Sequence, residues 1–139
     1  MAINSINSVY QGGMNFTTLS DGHSITIDPD KAAGGDDAGP GPEILMLVSL
    51  AGCTGLDVVS LLNKMKANFS DFTINVEAHL TEVHPAIYDD VTITYNIKVS
   101  KADESKVEKA VTLSQDKYCG VSAMFRAFAK LSNKIVFLP

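Results

Sequence analysis

One apolar stretch, too long for a strand, limits what this chain can fold into more than any other feature. Residues 44–53 read ILMLVSLAGC, and Pro42 and Glu43 stand directly before them. Proline suits the first turn of a helix, and a glutamate there complements the positive end of the helix dipole. Lys64 complements the negative end, so the pattern predicts a helix over residues 42–67.

The polar residues that follow this stretch argue against a membrane crossing. Asp57, Asn63 and Lys64 interrupt the apolar sequence, so we predict a buried helix of a folded domain. A helix that is apolar nearly all round needs cover on every side, and a single sheet covers only one side. We therefore expect a partner subunit to supply the second cover.

The composition is that of one globular domain, which we expect to span residues 1–139, with 45% hydrophobic and 19% charged residues. The formal net charge of -5 provides no basic field for phosphates, so nucleic-acid and anionic-membrane partners are disfavoured. Residues 1–5 lack the basic and apolar regions of a signal peptide, so we expect a cytoplasmic protein. Cytosolic thiols are normally reduced, so the two cysteines are expected to be catalytic, metal-binding or inert rather than a permanent disulfide.

Hydrophobic periodicity elsewhere in the chain predicts a mixture of strands and helices, and hence an α+β protein. Before the long helix we expect a hairpin and then a loop rich in Gly, Pro and Asp at residues 28–41. After the helix, strict alternation predicts two half-buried antiparallel strands, and helical spacing predicts two amphipathic helices. The expected strands are residues 8–16, 23–28, 72–80, 91–99 and 135–138, and the later helices are residues 103–114 and 121–131.

Four motifs follow one another along nearly the whole chain. They are Gly34-Gly35, Gly39-Pro40-Gly41-Pro42-Glu43, Leu50-Ala51-Gly52-Cys53-Thr54-Gly55-Leu56-Asp57-Val58-Val59 and Leu113-Ser114-Gln115-Asp116-Lys117-Tyr118-Cys119-Gly120-Val121. In this order they resemble the OsmC/Ohr family, in particular its OsmC-like, YhfA-type branch. The two motifs that contain cysteine are long enough to make chance a poor explanation.

The resemblance implies an OsmC-like α+β fold with antiparallel sheets, a long buried central helix and two intertwined chains, with sites at the interface of the homodimer. It implies thiol-dependent reduction of organic hydroperoxides, in defence against oxidative stress, without a metal or organic cofactor. Cys53 would attack the hydroperoxide, Cys119 would resolve the sulfenic acid as a disulfide, and a dithiol reductant of the lipoyl type would restore both thiols. Glu43 matches the family's glutamate at the start of the central helix.

The residues also give physical grounds for this chemistry. A thiolate is the nucleophile toward a peroxide O–O bond, and a second thiol traps the sulfenic acid before further oxidation. Cys119 follows Ser114 and Asp116, which we interpret as capping residues, so we expect it near the start of the last helix, where free N–H groups favour a thiolate. Cys53 is expected deep in an apolar helix, where desolvation raises its pKa and a cationic neighbour is needed.

The chain departs from the family at that cation. In the family's peroxidases an arginine from the N-terminal strand region meets the cysteine and is held by the glutamate, but the only arginine here is Arg126. Lys31, His23 and Arg126 are the candidates to replace it. Asp57 falls four residues after Cys53 on the same helical face and would oppose thiolate formation, so we interpret it as a structural residue.

Three classes of function therefore stay open. The first is the two-cysteine peroxidase, for which an apolar pocket beside the long helix would suit organic hydroperoxides. The second is a binding protein that keeps the fold and the interface pocket but has little turnover, because the arginine is missing. The third is a metal site built from both cysteines and a histidine, which no short Cys-x-x-Cys spacing supports.

Overall fold

Two three-stranded sheets and three α-helices make up the described part of the chain, residues 2–139 of a computed structural model. In chain order the elements are β1 (Asn7–Tyr10), β2 (Phe16–Ser20), β3 (His23–Ile27), α1 (Pro42–Lys64), β4 (Phe69–Leu80), β5 (Tyr88–Val99), α2 (Glu104–Leu113), α3 (Gly120–Arg126) and β6 (Lys130–Phe137). A π-helical turn, Ser114–Tyr118, joins α2 to the last helix. The predicted α+β class is confirmed.

The fold contains two compact units, Met1–Met46 and Leu47–Pro139. The boundary between them falls within α1, so the first residues of this helix belong to the N-terminal unit. A single domain over residues 1–139 stays a prediction.

The N-terminal unit contains an antiparallel sheet in the order β1-β2-β3. Asp21 and Gly22 form a two-residue turn between β2 and β3, with the positive φ values of 48° and 79° that such hairpin turns need. The expected hairpin is therefore present, but the continuous strand predicted over residues 8–16 is wrong. Gly12 and Gly13 have φ values of 99° and 56° and reverse the chain there, which makes β2 an additional strand.

The loop predicted at residues 28–41 is held in place by a buried carboxylate. Asp28 is 2% exposed, and its two carboxylate oxygens accept the N–H groups of Asp36 and Ala38, each at 3.2 Å. Because a buried charge is tolerated only when it is hydrogen-bonded, these contacts fix the shape of the loop before α1 begins.

In the C-terminal unit, α1 buries one face and exposes the other. Its buried residues recur every four positions and are Leu50, Thr54, Val58 and Leu62. On another side of the helix Leu56 is 75% exposed. The helix is nearly as long as predicted, but within one chain it is covered along a single face.

By length and composition alone α1 is apolar enough to cross a membrane. Core helices of soluble proteins share both properties. The buried face of α1 belongs to the same hydrophobic core as β5 and α2, which agrees with the predicted role as a core helix.

The second sheet has the strand order β4-β5-β6. β4 and β5 pair antiparallel, from Phe69 opposite Val99 to Leu80 opposite Tyr88, as their alternating sequences predict. β6 runs parallel to β5, so this sheet is mixed and not entirely antiparallel as expected. Alternate residues of β5 point into the core and are fully buried: Val91, Ile93, Tyr95 and Ile97.

The end of the chain differs most from the sequence prediction. α2 agrees closely with the helix expected at residues 103–114, but α3 stops at Arg126 instead of continuing to residue 131. Leu131 fits the helical spacing, yet it pairs with Val91 in the parallel register of β5 and β6. Tertiary pairing therefore overrides the local helical pattern, and the last strand begins at Lys130 rather than at residue 135.

The core of the second sheet leads to a test of stability. Ile93 is fully buried in β5, whereas Ile87, just before the strand, is 46% exposed. We expect Ile93→Ala to lower the free energy of unfolding by about 2–5 kcal/mol, because the deleted atoms leave a cavity. Ile87→Ala is the matched control and should cost less than about 1 kcal/mol. Urea unfolding at one fixed protein concentration measures both, and equal losses would contradict this core.

Candidate functional site

The two cysteines, 66 positions apart in the printed sequence, meet in the C-terminal unit. The sulfur of Cys53, the sulfur of Cys119 and a carboxylate oxygen of Asp57 all lie within 4.8 Å of one another. Both cysteines are free, Cys119 is buried, and Cys53 and Asp57 are half-buried. We call these three residues the thiol cluster.

Helix geometry places the first two members of the thiol cluster. Cys53 and Asp57 are four residues apart in α1 and therefore lie on one face of the helix, as the sequence predicts. Thr54, the residue after Cys53, is fully buried, so the neighbouring side chains stand at the edge of the core.

The third member, Cys119, is the N-cap of α3. Its N–H donates to the carbonyl of Ser114 at 2.7 Å, and its sulfur accepts the N–H of Ser122 at 3.3 Å. Its expected place at the start of the last helix is therefore confirmed. Ser114 and Asp116 do not cap this helix, because Cys119 does so itself and Ser114 bonds elsewhere through its side chain.

A buried chain of hydroxyl groups leads to Asp57. Ser114 Oγ donates its single proton to Asp57 Oδ2 at 2.9 Å and lies 2.7 Å from Thr54 Oγ1. Because the Ser114 proton is already used, Thr54 must donate to Ser114, and Tyr95 must donate to Thr54 across the 2.6 Å between their oxygens. Burial raises the pKa of Tyr95, which keeps its proton in place for this donation.

Gln115 completes this network from the π-helical turn. The two protons of its side-chain amide are shared among three acceptors, Tyr95 OH at 3.0 Å, Thr54 Oγ1 at 3.2 Å and Ser122 Oγ at 3.1 Å. Every buried side-chain nitrogen and oxygen in the described residues has a hydrogen-bond partner. The network therefore ties α1, β5 and the Cys119 region to one another.

The electrostatic surroundings disfavour ionisation of Cys53. Burial has the largest effect and raises the pKa of this thiol above its ordinary value of 9.0, and the nearby N–H of Val121 lowers it. The contact with Cys119 and the charge of Asp57 raise the pKa further. None of these groups is a cation, although the sequence calls for one beside Cys53.

Of the three candidate cations, Arg126 has another partner, and Lys31 and His23 belong to the N-terminal unit. Arg126 donates through its guanidinium to the backbone carbonyl of Gln115 at 2.5 Å, and a second nitrogen lies 3.5 Å from the Gln115 side-chain oxygen. It therefore positions Gln115. Lys31, in a 3₁₀ turn, and His23, at the start of β3, are exposed residues of the N-terminal unit. Glu43 is exposed in the first turn of α1, also in that unit.

The sequence places Asp57 on the helical face of Cys53, but it gives no sign of the buried network. The third group beside the two sulfurs is Asp57, and not the histidine considered for a metal site. His79 instead pairs with Asp89 at 2.7 Å on an exposed surface. The four-residue spacing from Cys53 was a usable signal for Asp57, whereas nothing in the alternating sequence of β5 distinguishes Tyr95 from its neighbours.

Two clefts adjoin α1 in the C-terminal unit. A small cleft of about 110 Å³ includes Asp57 and is lined by Asp57, Ser60, Leu61, Lys64 and Tyr118. An apolar groove between α1 and β4 is lined by Val48, Ala51, Gly52, Gly55, Leu56, Val59, Phe72 and Ile74. The expected apolar pocket beside the helix is thus present, but Cys53 is not among its lining residues.

Known proteins resemble this chain in sequence and in fold. Protein YhfA of Escherichia coli strain K12 is 26% identical over 112 residues, which is 81% of each chain. A hypothetical protein from Aquifex aeolicus VF5 has a TM-score of 0.81 and 29% identity over 100% of both chains. An organic hydroperoxide resistance protein from Legionella pneumophila has the same fold, with a TM-score of 0.67 and 15% identity over 98% of this chain and 99% of its own.

The family assignment rests on a match that begins within the loop before α1 and ends within β6. A model of the family described as OsmC-like protein matches residues 34–132, well over half of the chain and including both cysteine motifs. The resemblance found in the sequence is confirmed, and this chain belongs to the OsmC-like protein family.

Proposed function

We propose that this protein reduces organic hydroperoxides through a two-cysteine cycle. The observation that carries the proposal is the distance between the sulfurs of Cys53 and Cys119, which is no more than 4.8 Å in the reduced protein. Two thiols at this range need only a small movement to form a disulfide of about 2.05 Å. The name of the Legionella pneumophila protein, organic hydroperoxide resistance protein, supports the same substrate class.

The cycle has three balanced steps. The thiolate of Cys53 attacks one peroxide oxygen, the O–O bond breaks, and the products are Cys53 sulfenic acid and an alcohol that takes up a proton. The thiol of Cys119 then attacks the sulfenic sulfur, forming the disulfide and releasing water. A dithiol reductant of the lipoyl type returns two electrons and two protons, which restores both thiols and leaves the reductant as a disulfide.

The proposed site also includes Glu43, which occupies the family's glutamate position at the start of the central helix. The structure gives Cys53 one activating contact, the Val121 N–H, because N–H groups at a helix start favour a thiolate. That contact is opposed by burial and by Asp57. Slow turnover at neutral pH follows from this balance.

The raised pKa of Cys53, which leaves little thiolate at neutral pH, also favours a second candidate function. An OsmC-like binding protein would keep the fold and the apolar groove while its thiols stay unreactive toward peroxide at neutral pH. Such a protein would retain a ligand after purification, whereas the peroxidase would lose both free thiols on addition of cumene hydroperoxide and regain them with a dithiol.

We further propose that the protein works as a cytoplasmic homodimer without nucleic-acid or membrane partners. The apolar groove beside α1 and the 75% exposed Leu56 form an exposed hydrophobic patch, and such a patch is typical of an interaction surface. A second copy of α1 packed there would supply the cover that the sequence of this helix requires. The net charge of -5 argues against polyanionic partners.

Single cysteine variants test the cycle. We expect Cys53→Ser to abolish consumption of cumene hydroperoxide, because the attacking sulfur is gone. Cys119→Ser should consume one equivalent per chain and then stop at the sulfenic acid, because no second thiol resolves it. Peroxide loss measured before any reductant is added, and mass spectrometry of the product, measure both outcomes. Undiminished activity in the Cys53 variant would contradict the assigned roles.

The pKa of Cys53 predicts the pH dependence of this reaction. Because the thiolate reacts and its pKa lies above 9.0, the rate should still be rising as the pH passes 9.0. Asp57→Asn removes a charge that raises this pKa, so the profile should move to lower pH and the rate at neutral pH should increase modestly. Asp116→Asn, an exposed acid near Cys119, is the control. A profile for Asp57→Asn that does not move, or moves to higher pH, would contradict this account.

The proposed dimer is tested by placing a charge on α1. We expect Leu56→Glu to yield monomers in light scattering, because a carboxylate buried between two apolar helices is strongly destabilising. Val83→Glu is the matched control, since Val83 is 77% exposed in the connection between β4 and β5. A dimer that survives Leu56→Glu unchanged would exclude this surface as the interface.

A further inference from the structure

We propose that the thiol cluster binds a zinc-class divalent metal ion, with the sulfurs of Cys53 and Cys119 and a carboxylate oxygen of Asp57 as ligands. The three ligand atoms already lie within 4.8 Å of one another, although they come from two separate helices. This inference does not depend on the proposed peroxidase activity, since binding requires no oxidation.

The separations suit a tetrahedral ion. Zinc binds cysteine sulfur at about 2.3 Å and carboxylate oxygen at about 2.0–2.2 Å, so ligand atoms around it are roughly 3.4–3.8 Å apart. Atoms that start within 4.8 Å reach this geometry through small side-chain movements. Two thiolates select zinc over magnesium or calcium, because those harder ions prefer oxygen ligands.

Hydrogen bonds from neighbouring groups hold two of the three ligands in position, as metal sites require. One oxygen of Asp57 accepts the Ser114 hydroxyl at 2.9 Å, which fixes the orientation of the carboxylate. The sulfur of Cys119 accepts the Ser122 N–H at 3.3 Å, which holds it in position. The buried chain of hydroxyls from Tyr95 supports Ser114 in turn.

Three protein ligands leave one position of a tetrahedron open. The small cleft that includes Asp57 has a volume of about 110 Å³, enough for a water molecule, whose share of liquid volume is about 30 Å³. Of the three ligands Asp57 lines this cleft, together with Tyr118 and Lys64. A water in that position would complete the coordination.

Metal binding converts the two thiols to thiolates beside the Asp57 carboxylate, so the bound site needs a positive charge. Two sulfurs and a carboxylate converge here, and Arg126, the only arginine in the sequence, is bound to Gln115. A divalent ion would supply the missing positive charge. Any thiol proton displaced on binding goes to solvent, and no electrons are transferred. While the ion is bound, both sulfurs are withheld from disulfide formation and from electrophiles.

Titration of the reduced full-length protein tests the site. We expect one zinc ion per chain in competition with a chromophoric chelator, and cobalt substitution should produce a thiolate-to-cobalt charge-transfer band. Asp57→Asn should weaken zinc binding by at least about tenfold, and Ser114→Ala by roughly 10- to 100-fold. Asp116→Asn, which keeps both thiols and removes an acid outside the thiol cluster, should bind as tightly as the unaltered chain.

A second measurement needs no variant. Zinc should slow alkylation of both cysteines by iodoacetamide at least about tenfold, and a chelator should restore the rate. The proposal is overturned if zinc gives no protection, or if Asp57→Asn and Asp116→Asn bind zinc equally well. Because no peroxide is present, a protein that binds zinc but fails to reduce peroxides would sink only the proposed peroxidase cycle, and the reverse result would sink only the metal site.

Discussion

The hydrogen bond between Thr54 and Tyr95 holds the rest of the site together. It links α1 to β5 in the core, one residue away from Cys53, and the two oxygens are 2.6 Å apart. Gln115 bonds to both of them and brings the segment before Cys119 to the same point. Such buried polar networks are expensive unless every group is satisfied, and here every group is, so they specify one arrangement. The closeness of the two sulfurs is a consequence of that arrangement.

The same network fixes a negative charge where a thiolate nucleophile would prefer a positive one. Its hydroxyl dipoles point toward Asp57, next to both sulfurs. In a peroxidase, burial raises the pKa of Cys53 most and this carboxylate raises it further, so both slow the reaction at neutral pH. In a metal site the carboxylate is an asset, since it is the third ligand. The position of Asp57 therefore weakens the proposed peroxidase cycle and supports the proposed metal site. Both proposals use the sulfurs of Cys53 and Cys119.

The sequence predicted the parts of this structure that depend on local pattern. Apolar runs, helix-start residues and alternation located α1, β4, β5 and α2, and the cysteine motifs located the thiols. It failed at β6, where helical spacing around Leu131 competes with a parallel pairing that no local pattern reveals. The sequence also could not assign a partner to Arg126. That partner, Gln115, lies in a π-helical turn that no local pattern predicts. The expectation that Asp57 opposes thiolate formation agrees with its effect on the pKa of Cys53, but its hydrogen bond from Ser114 could not be derived from spacing.

Two glycines of α1 show what a single chain leaves unexplained. A Cβ on Gly55 would lie 3.0 Å from the side chain of Ile74, so glycine lets the helix pack closely against β4. Gly52, one turn earlier and exposed, has nothing within 4 Å of such a Cβ. A glycine inside a helix costs about 1 kcal/mol relative to alanine, and within one chain nothing compensates for that cost. A second helix packed closely at Gly52 would supply the compensation, at the surface where the apolar groove and Leu56 already require cover.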